Sequence, residues 1–234
     1  MAWNEIEHSD ADSLATACAA HIDSALDQAL AVRKRALLAL AGGRTSPPVF
    51  RRMAQTPRDW SQVTILPTDE RWVTLEHADC NLRQMRAAFD HADGIDWRSL
   101  TPPAPLGAPD AAFANAQLAA LDEPFDAILL GMGLDGHFGS LFPGSPNLAQ
   151  ALDPAGVAAA AAILPDPMPS AGPHPRISLT LSRMLRSRLV LLAITGLDKR
   201  AVLGRAQLDA DATRLPVAAL LHAPGAQVEI HWSP

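Results

Sequence analysis

Apolar positions along the chain change period repeatedly, and each change marks a predicted element. From about Asp10 the spacing is helical, with Leu14, Cys18, Ile22, Ala25, Leu26 and Ala29 on one stripe and Ser9 placed as N-cap. This segment, which extends to about Leu40, runs into ALLALAGGRTSPPVF, where a short apolar run meets Gly42 and Gly43. The order there is strand, glycine loop and helix N-terminus. VTILPTDERWV is a second strand-to-loop junction, followed by a predicted helix from about His77 to Phe89. A Gly/Pro-rich connection between His91 and Pro109 contains IDW as a candidate short strand, and DAAFANAQLAAL then reads as helical.

A third junction lies in FDAILLGMGLDGHFGSLFPGSP, where the β-type run Ala127 to Leu130 ends abruptly in glycines and polar residues. VAAAAAILP fits strand or helix by pattern, with a strand preferred at its end. PDPMPSAGPHP is loop, because closely spaced prolines deny a ladder its donors. Beyond it the pattern gives a helix near Leu179 to Leu185, a strand RLVLLAIT, and a helix from Asp198 to about Leu208. A short helix PVAALL and a last strand QVEIHW complete the series. Alternating strands and helices predict an α/β fold whose central sheet is mostly parallel and flanked by helices on both faces, with residues 1–234 forming one domain. Ligands of such sheets bind beyond the carboxyl ends of the strands. The junctions after Leu40, Leu66, Leu130 and Ile194 are therefore expected to converge on one pocket.

Composition narrows the partners. The net charge of -6 disfavours nucleic acid and anionic membrane surfaces, both of which need a basic face, but allows a small anion in a locally basic pocket. The first ten residues carry acids and no apolar leader, and no apolar run is long enough to span a bilayer, so an intracellular, cytoplasmic protein is expected. Cys18 and Cys80 offer neither a disulfide framework nor metal-ligand spacing. Only two lysines, Lys34 and Lys199, stand against seventeen arginines, which suggests that a retained lysine marks a need for a compact point charge.

The candidate chemistry sits at the strand ends. Gly42 and Gly43 let backbone N–H groups approach an anion, with Arg44 and Thr45 as further donors, although an ordinary strand-to-helix turn has the same composition. In TDERWV, Asp69 or Glu70 is placed to orient a base, and Arg71 to hold a phosphate or a developing oxyanion; the bland reading is a solvated charged loop. GMGLDGHFGSLFPG is more specific, because four glycines surround Asp135 and His137 directly after a buried strand. Histidine titrates near neutrality, and a neighbouring carboxylate fixes its tautomer, so a general base is preferred over a surface histidine. Lys199 and Arg176 can clamp a phosphate dianion; taken singly, each is also explained as a surface lysine or a paired arginine. Trp72, Cys80, Met132 and Phe142 read as packing residues, and His174 as a loop histidine without a role.

Taken together, the segments AGGRTSP, TDERWVTLEHADCNL, FDAILLGMGLDGHFGSLFPG, PRISLT, ITGLDKRAVL and LPVAALL resemble the 6-phosphogluconolactonase family from about Leu40 to Leu221. Its Rossmann-like fold is similar to that of glucosamine-6-phosphate deaminase and ribose-5-phosphate isomerase. DGH followed by SLFPG resembles the lactonase branch, whereas the deaminase branch continues with an asparagine and a glutamate. Three features depart from the family pattern: Phe138 and Gly139 replace Thr and Ala, Cys80 replaces Ser, and the chain ends at HWSP.

The resemblance implies hydrolysis of 6-phospho-D-glucono-1,5-lactone to 6-phosphogluconate in the oxidative pentose phosphate pathway. His137 would activate water and return the proton to the leaving ring oxygen, with Asp135 orienting it and Arg71 at the oxyanion or the phosphate. Gly43, Arg44, Thr45, Arg176 and Lys199 would hold the phosphate. No cofactor or metal is implied, since a lactone is an activated ester. A monomer or small homo-oligomer is expected. Two other readings stay open: a deaminase or isomerase using Asp69 and His137 on the same fold, and a non-catalytic sugar-phosphate sensor.

Overall fold

The computed structural model describes residues 3–105, 107–170 and 172–234; Leu106 in the Gly/Pro-rich connection and Ala171 in the proline-rich loop lie outside the described residues. Among the described residues ten strands occur: β1 (Trp3–Glu7), β2 (Ala36–Leu40), β3 (Val63–Pro67), β4 (Asp69–Arg71), β5 (Asp96–Trp97), β6 (Ala127–Leu130), β7 (Ala160–Ile163), β8 (Arg176–Leu179), β9 (Val190–Thr195) and β10 (Val228–Ser233). Eight α-helices accompany them: α1 (Ala11–Arg33), α2 (Ser46–Ala54), α3 (Asn81–Ala88), α4 (Ala112–Ala119), α5 (Leu148–Ala151), α6 (Leu181–Leu185), α7 (Leu197–Leu208) and α8 (Val217–His222).

Seven strands form a fully parallel sheet in the order β1-β10-β9-β6-β2-β3-β5. Alternate residues of its central strands enter opposite cores, which is why ALLAL and AILL are apolar throughout rather than alternating. Leu38 and Leu40 of β2 pack with α1, α2 and α3, whereas Leu37 and Ala39 pack on the side of α4, α7 and α8. Helices thus cover both faces, as the sequence pattern predicted. From β2 the chain builds outward through β3 to β5, then returns to place β6, β9 and β10 on the other side. The carboxyl ends of β2 and β6 therefore flank the point where the winding reverses, the expected ligand site of an open parallel sheet.

Several expectations change in detail. The N-cap of α1 is Asp10, not Ser9: its carboxylate accepts from the Ser13 backbone N–H, and Ser13 Oγ accepts from the Asp10 N–H in return. Lys34 is exposed and occupies a left-handed C-cap (φ 59°), so its retention marks no charge site. Trp3–Glu7, which the apolar pattern left without an element, is a parallel edge strand on β10. TDERWV and PRISLT are not simple loops, since β4, β8 and β7 form a separate antiparallel sheet. Helix α3 starts at Asn81 rather than His77, because its first N–H groups are capped from outside. Glu70, fully buried, accepts from the backbone N–H groups of Asn81 (2.7 Å) and Leu82 (2.9 Å).

Candidate active site

The small antiparallel sheet sets one wall of the site. In its register Asp69 lies opposite Ser178 and Arg71 opposite Arg176, so these four side chains share one face while Glu70 points to the other. Glu70 is thus removed from the chemistry and serves the fold: besides capping α3 it accepts from the Arg71 N–H, and burial raises its pKa despite these hydrogen bonds. The expectation that Asp69 or Glu70 orients the base is not met. Asp69 accepts hydrogen bonds from Ser140 and Thr68, and its backbone oxygen accepts from Asn81 Nδ2.

The carboxylate beside the histidine is Asp135. His137 Nδ1 lies 2.5 Å from Asp135 Oδ1, which also accepts the His137 N–H, and Nε2 has no protein partner among the described residues. The imidazole packs on Phe142, ring centroids 4.2 Å apart. Burial pulls the Asp135 pKa upward, but the hydrogen bond and charge of His137 outweigh it and hold the carboxyl below its ordinary value. Gly133 makes this pairing possible. A Cβ there would stand 2.3 Å from the imidazole and 2.5 Å from Asp135 Oδ1.

The four junctions do converge. A cavity of about 560 Å³ is lined from the β2 junction by Gly42, Gly43, Arg44, Thr45 and Ser46, and from the β6 junction by Gly131, Gly133 and His137. Asp69, Arg71, Asn81, Ser140, Arg176 and Lys199 complete its polar wall. Asp135 does not line the cavity and stands behind His137. Gly42 is required for packing: a Cβ would lie 2.3 Å from Asn81 Oδ1. Gly43 has φ 92°, a conformation open to few other residues. Helix α2 starts here without a side-chain cap, and because Pro47 and Pro48 in its first turn carry no N–H, the backbone donors at this end of the cavity belong to the residues ahead of them.

The electrostatics favour an anion. Arg44, Arg71, Arg176 and Lys199 face a cavity in which Asp69 is the only lining carboxylate among the described residues. Arg176 is almost fully buried, its pKa pushed down to about 10 by burial and by Arg71, against the pull of Asp69. Its guanidinium donates to the backbone oxygens of Gly172 and His174, which ties it to the proline-rich loop as well as to the cavity. Arg71 Nη1 donates to Asp79 O and Asn81 Oδ1, whereas its Nε is buried without a partner. Burial, then Arg44, lowers the Lys199 pKa, with Asp135 opposing. Two guanidiniums directly opposite on a ladder repel, an arrangement an anion between them relieves.

The family model described as glucosamine-6-phosphate isomerases/6-phosphogluconolactonase matches residues 9–232. The chain belongs to this family. It is 38% identical to a 6-phosphogluconolactonase of Pseudomonas aeruginosa, over 92% of this chain and 89% of that one. To one of Rhizobium meliloti it is 34% identical, over 95% of each. The crystal structure of a 6-phosphogluconolactonase from Shewanella baltica superposes with a TM-score of 0.90 at 31% identity, covering 98% of this chain and 97% of that one. A monomeric glucosamine-6-phosphate deaminase shares the fold at a TM-score of 0.76 and 18% identity.

Within this glucosamine-6-phosphate isomerase/6-phosphogluconolactonase frame, Phe138, the departure beside His137, is fully buried in the core and does not line the cavity. Met132 and Phe142, read as packing residues, do both jobs: they are buried and also line it. Sequence reasoning missed Asn81 and Ser140 as cavity residues. Asn81 follows a predicted helix start and carries no charge, so only the tertiary approach of Gly42 and Arg71 exposes its place.

Proposed function

We propose that this chain is a 6-phosphogluconolactonase, a cytoplasmic hydrolase acting through one site in one domain, residues 1–234. The observation that carries the reading is the paired arrangement in one cavity of a carboxylate-oriented histidine and a cluster of four cations. The lactonase relatives, similar over nearly their whole length, support it.

In this reading the phosphate lies among Gly43, Arg44, Thr45, Arg176 and Lys199, and the lactone carbonyl is presented to His137. Its Nδ1–H is held by Asp135, so Nε2 carries the lone pair and takes a proton from water as the oxygen attacks C1. Arg71, which lines the cavity, and backbone N–H groups of the glycine loop stabilise the oxyanion. Collapse breaks the bond from C1 to the ring oxygen, and the imidazolium returns its proton to that oxygen. Asp69 keeps Ser140 in place and offsets the charge of Arg71 and Arg176. The deaminase alternative needs a second proton carrier over an open-chain sugar; Ser140, Leu141 and Phe142, just beyond the DGH segment, supply none.

The phosphate assignment is tested by initial rates on phosphorylated and unphosphorylated gluconolactone. Lys199→Met should raise KM for the phosphorylated substrate about tenfold or more and leave the other nearly unchanged, while Arg71→Lys should lower kcat on both. Equal losses on both substrates for Lys199→Met would remove the phosphate role.

A further inference from the structure

A second cluster of ligating side chains lies away from the cavity, where α1 crosses the outer strands of the large sheet. Glu229 and His231 project from the same face of β10, two residues apart, and His21 reaches them from α1. One ligand atom from each of His21, Glu229 and His231 lies within 4.8 Å of the other two. His21 Nδ1 is 2.7 Å and His231 Nε2 3.8 Å from Glu229 Oε2. None of these residues lines the cavity, and the lactonase chemistry uses none of them.

His231 points to a ligand. It is fully buried, yet its Nε2 has no hydrogen-bond partner. Its other nitrogen, Nδ1, lies 2.9 Å from Nε2 of His8, the residue just after β1, whose N–H is held by the Trp232 carbonyl. In the tautomer whose Nδ1–H donates to His8, the lone pair of His231 Nε2 faces His21 and Glu229. An imidazole whose far nitrogen is held in this way is the usual setting of a metal ligand. A buried nitrogen without a partner is otherwise a net cost to the fold.

We propose that His21, Glu229 and His231 form a zinc site that fastens α1 to β10, with His8 orienting His231. Two imidazoles and a carboxylate suit Zn²⁺, with a fourth position left for water. Tetrahedral zinc with ligands near 2.0–2.1 Å sets its donor atoms about 3.3 Å apart. The two pairs that share Glu229, at 2.7 and 3.8 Å, bracket that spacing. The side chains of His21 and Glu229 are 40% and 33% exposed, which gives the ion a way in. A second group, His77, Asp79 and His174, also clusters, but His77 Nδ1 already accepts the Asp79 N–H. Because His21 lies near the start of the chain and β10 at its end, the ion would close a long loop and stabilise the folded state by mass action.

The test uses the full-length protein stripped with chelator, titrated with zinc and followed by metal content and thermal unfolding. Wild type should bind zinc, with Tm rising by roughly 5–10 °C at a hundredfold excess over Kd. His21→Ala and Glu229→Gln should each weaken this binding about tenfold or more and abolish the shift, while keeping the wild-type Tm in chelator to within a few degrees. Lactone hydrolysis in chelator should be unchanged in both. The double variant His77→Ala/His174→Ala and the single variant His137→Ala should retain the shift. Absence of bound zinc in wild type, or undiminished binding in both the His21 and Glu229 variants, overturns the proposal.

Discussion

His137 is the residue on which the chemistry turns, and its setting shows how a side chain is aimed. Asp135 fixes one nitrogen, Phe142 supports one ring face, and Gly133 gives up its side chain so that both can approach. His137→Ala should therefore lower kcat about 10²–10⁴-fold with little change in KM, as measured by steady-state lactone hydrolysis. His231 offers a residue-level prediction about stability. Burial, then the charges of His21 and His8, push its pKa down to about 4, so the fold prefers it neutral. The unfolded chain takes up that proton near pH 6.5 and the folded chain does not, so stability is lost as pH falls from about 6.5 to 4 and levels off below. The loss attributable to this group is about 3 kcal/mol at 1.36 kcal/mol per pH unit. Urea unfolding in chelator at pH 7, 5 and 4 measures it, and His231→Gln should flatten the profile. An equally steep profile in that variant would assign the loss to other groups. DGH in its glycine frame was legible in the sequence because its spacing is local. Asn81 and Ser140 were not, because their partners Arg71 and Asp69 are ten or more residues away.

Among the elements, those with long apolar runs or strong helical stripes were readable: β2, β6, β9 and α7 fall where the pattern placed them, within a few residues, and α1 starts where expected but ends at Arg33, short of Leu40, because β2 takes the last apolar residues of that segment. Strands β1, β4 and β8 were not. Each is three to five residues long and carries charge, and each exists because another strand lies beside it, which no local pattern encodes. The cost of missing β4 and β8 was the site's geometry, since their register sets Arg71 against Arg176. Glu70 joins this sheet to α3, so its substitution tests the coupling between the two elements. Glu70→Gln places an amide donor among three backbone N–H groups and should destabilise by about 1–3 kcal/mol, read from denaturant unfolding. Catalytic efficiency should fall as well, because Asn81 and Arg71 are held through that carboxylate. Unchanged stability would show that the cap of α3 lies elsewhere.

At the scale of the whole molecule, one reversal in strand order gathers the chemistry. The chain winds outward from β2 and returns at β6, so the loops after these strands open on a common cleft, and the β9 junction adds Lys199 from the next strand along. An acidic protein thereby keeps a cationic pocket: its net charge of -6 is spread over the surface while four cations meet at the strand ends. The sequence order of the four junctions was enough to expect this convergence, because parallel strands put all their carboxyl ends on one edge. The same fold also carries deaminase chemistry in a relative of 18% identity, so the fold does not choose the reaction. On the proposed lactonase reading the choice is made in the cavity, where Ser140 and Phe142 supply no titratable side chain to carry a proton between sugar carbons. The most direct measurement incubates purified protein in chelator with freshly generated 6-phosphogluconolactone and, separately, with glucosamine 6-phosphate. Proton release well above the spontaneous rate in the first, with no ammonia in the second, is the expected result; ammonia release beside an inert lactone would contradict the lactonase function.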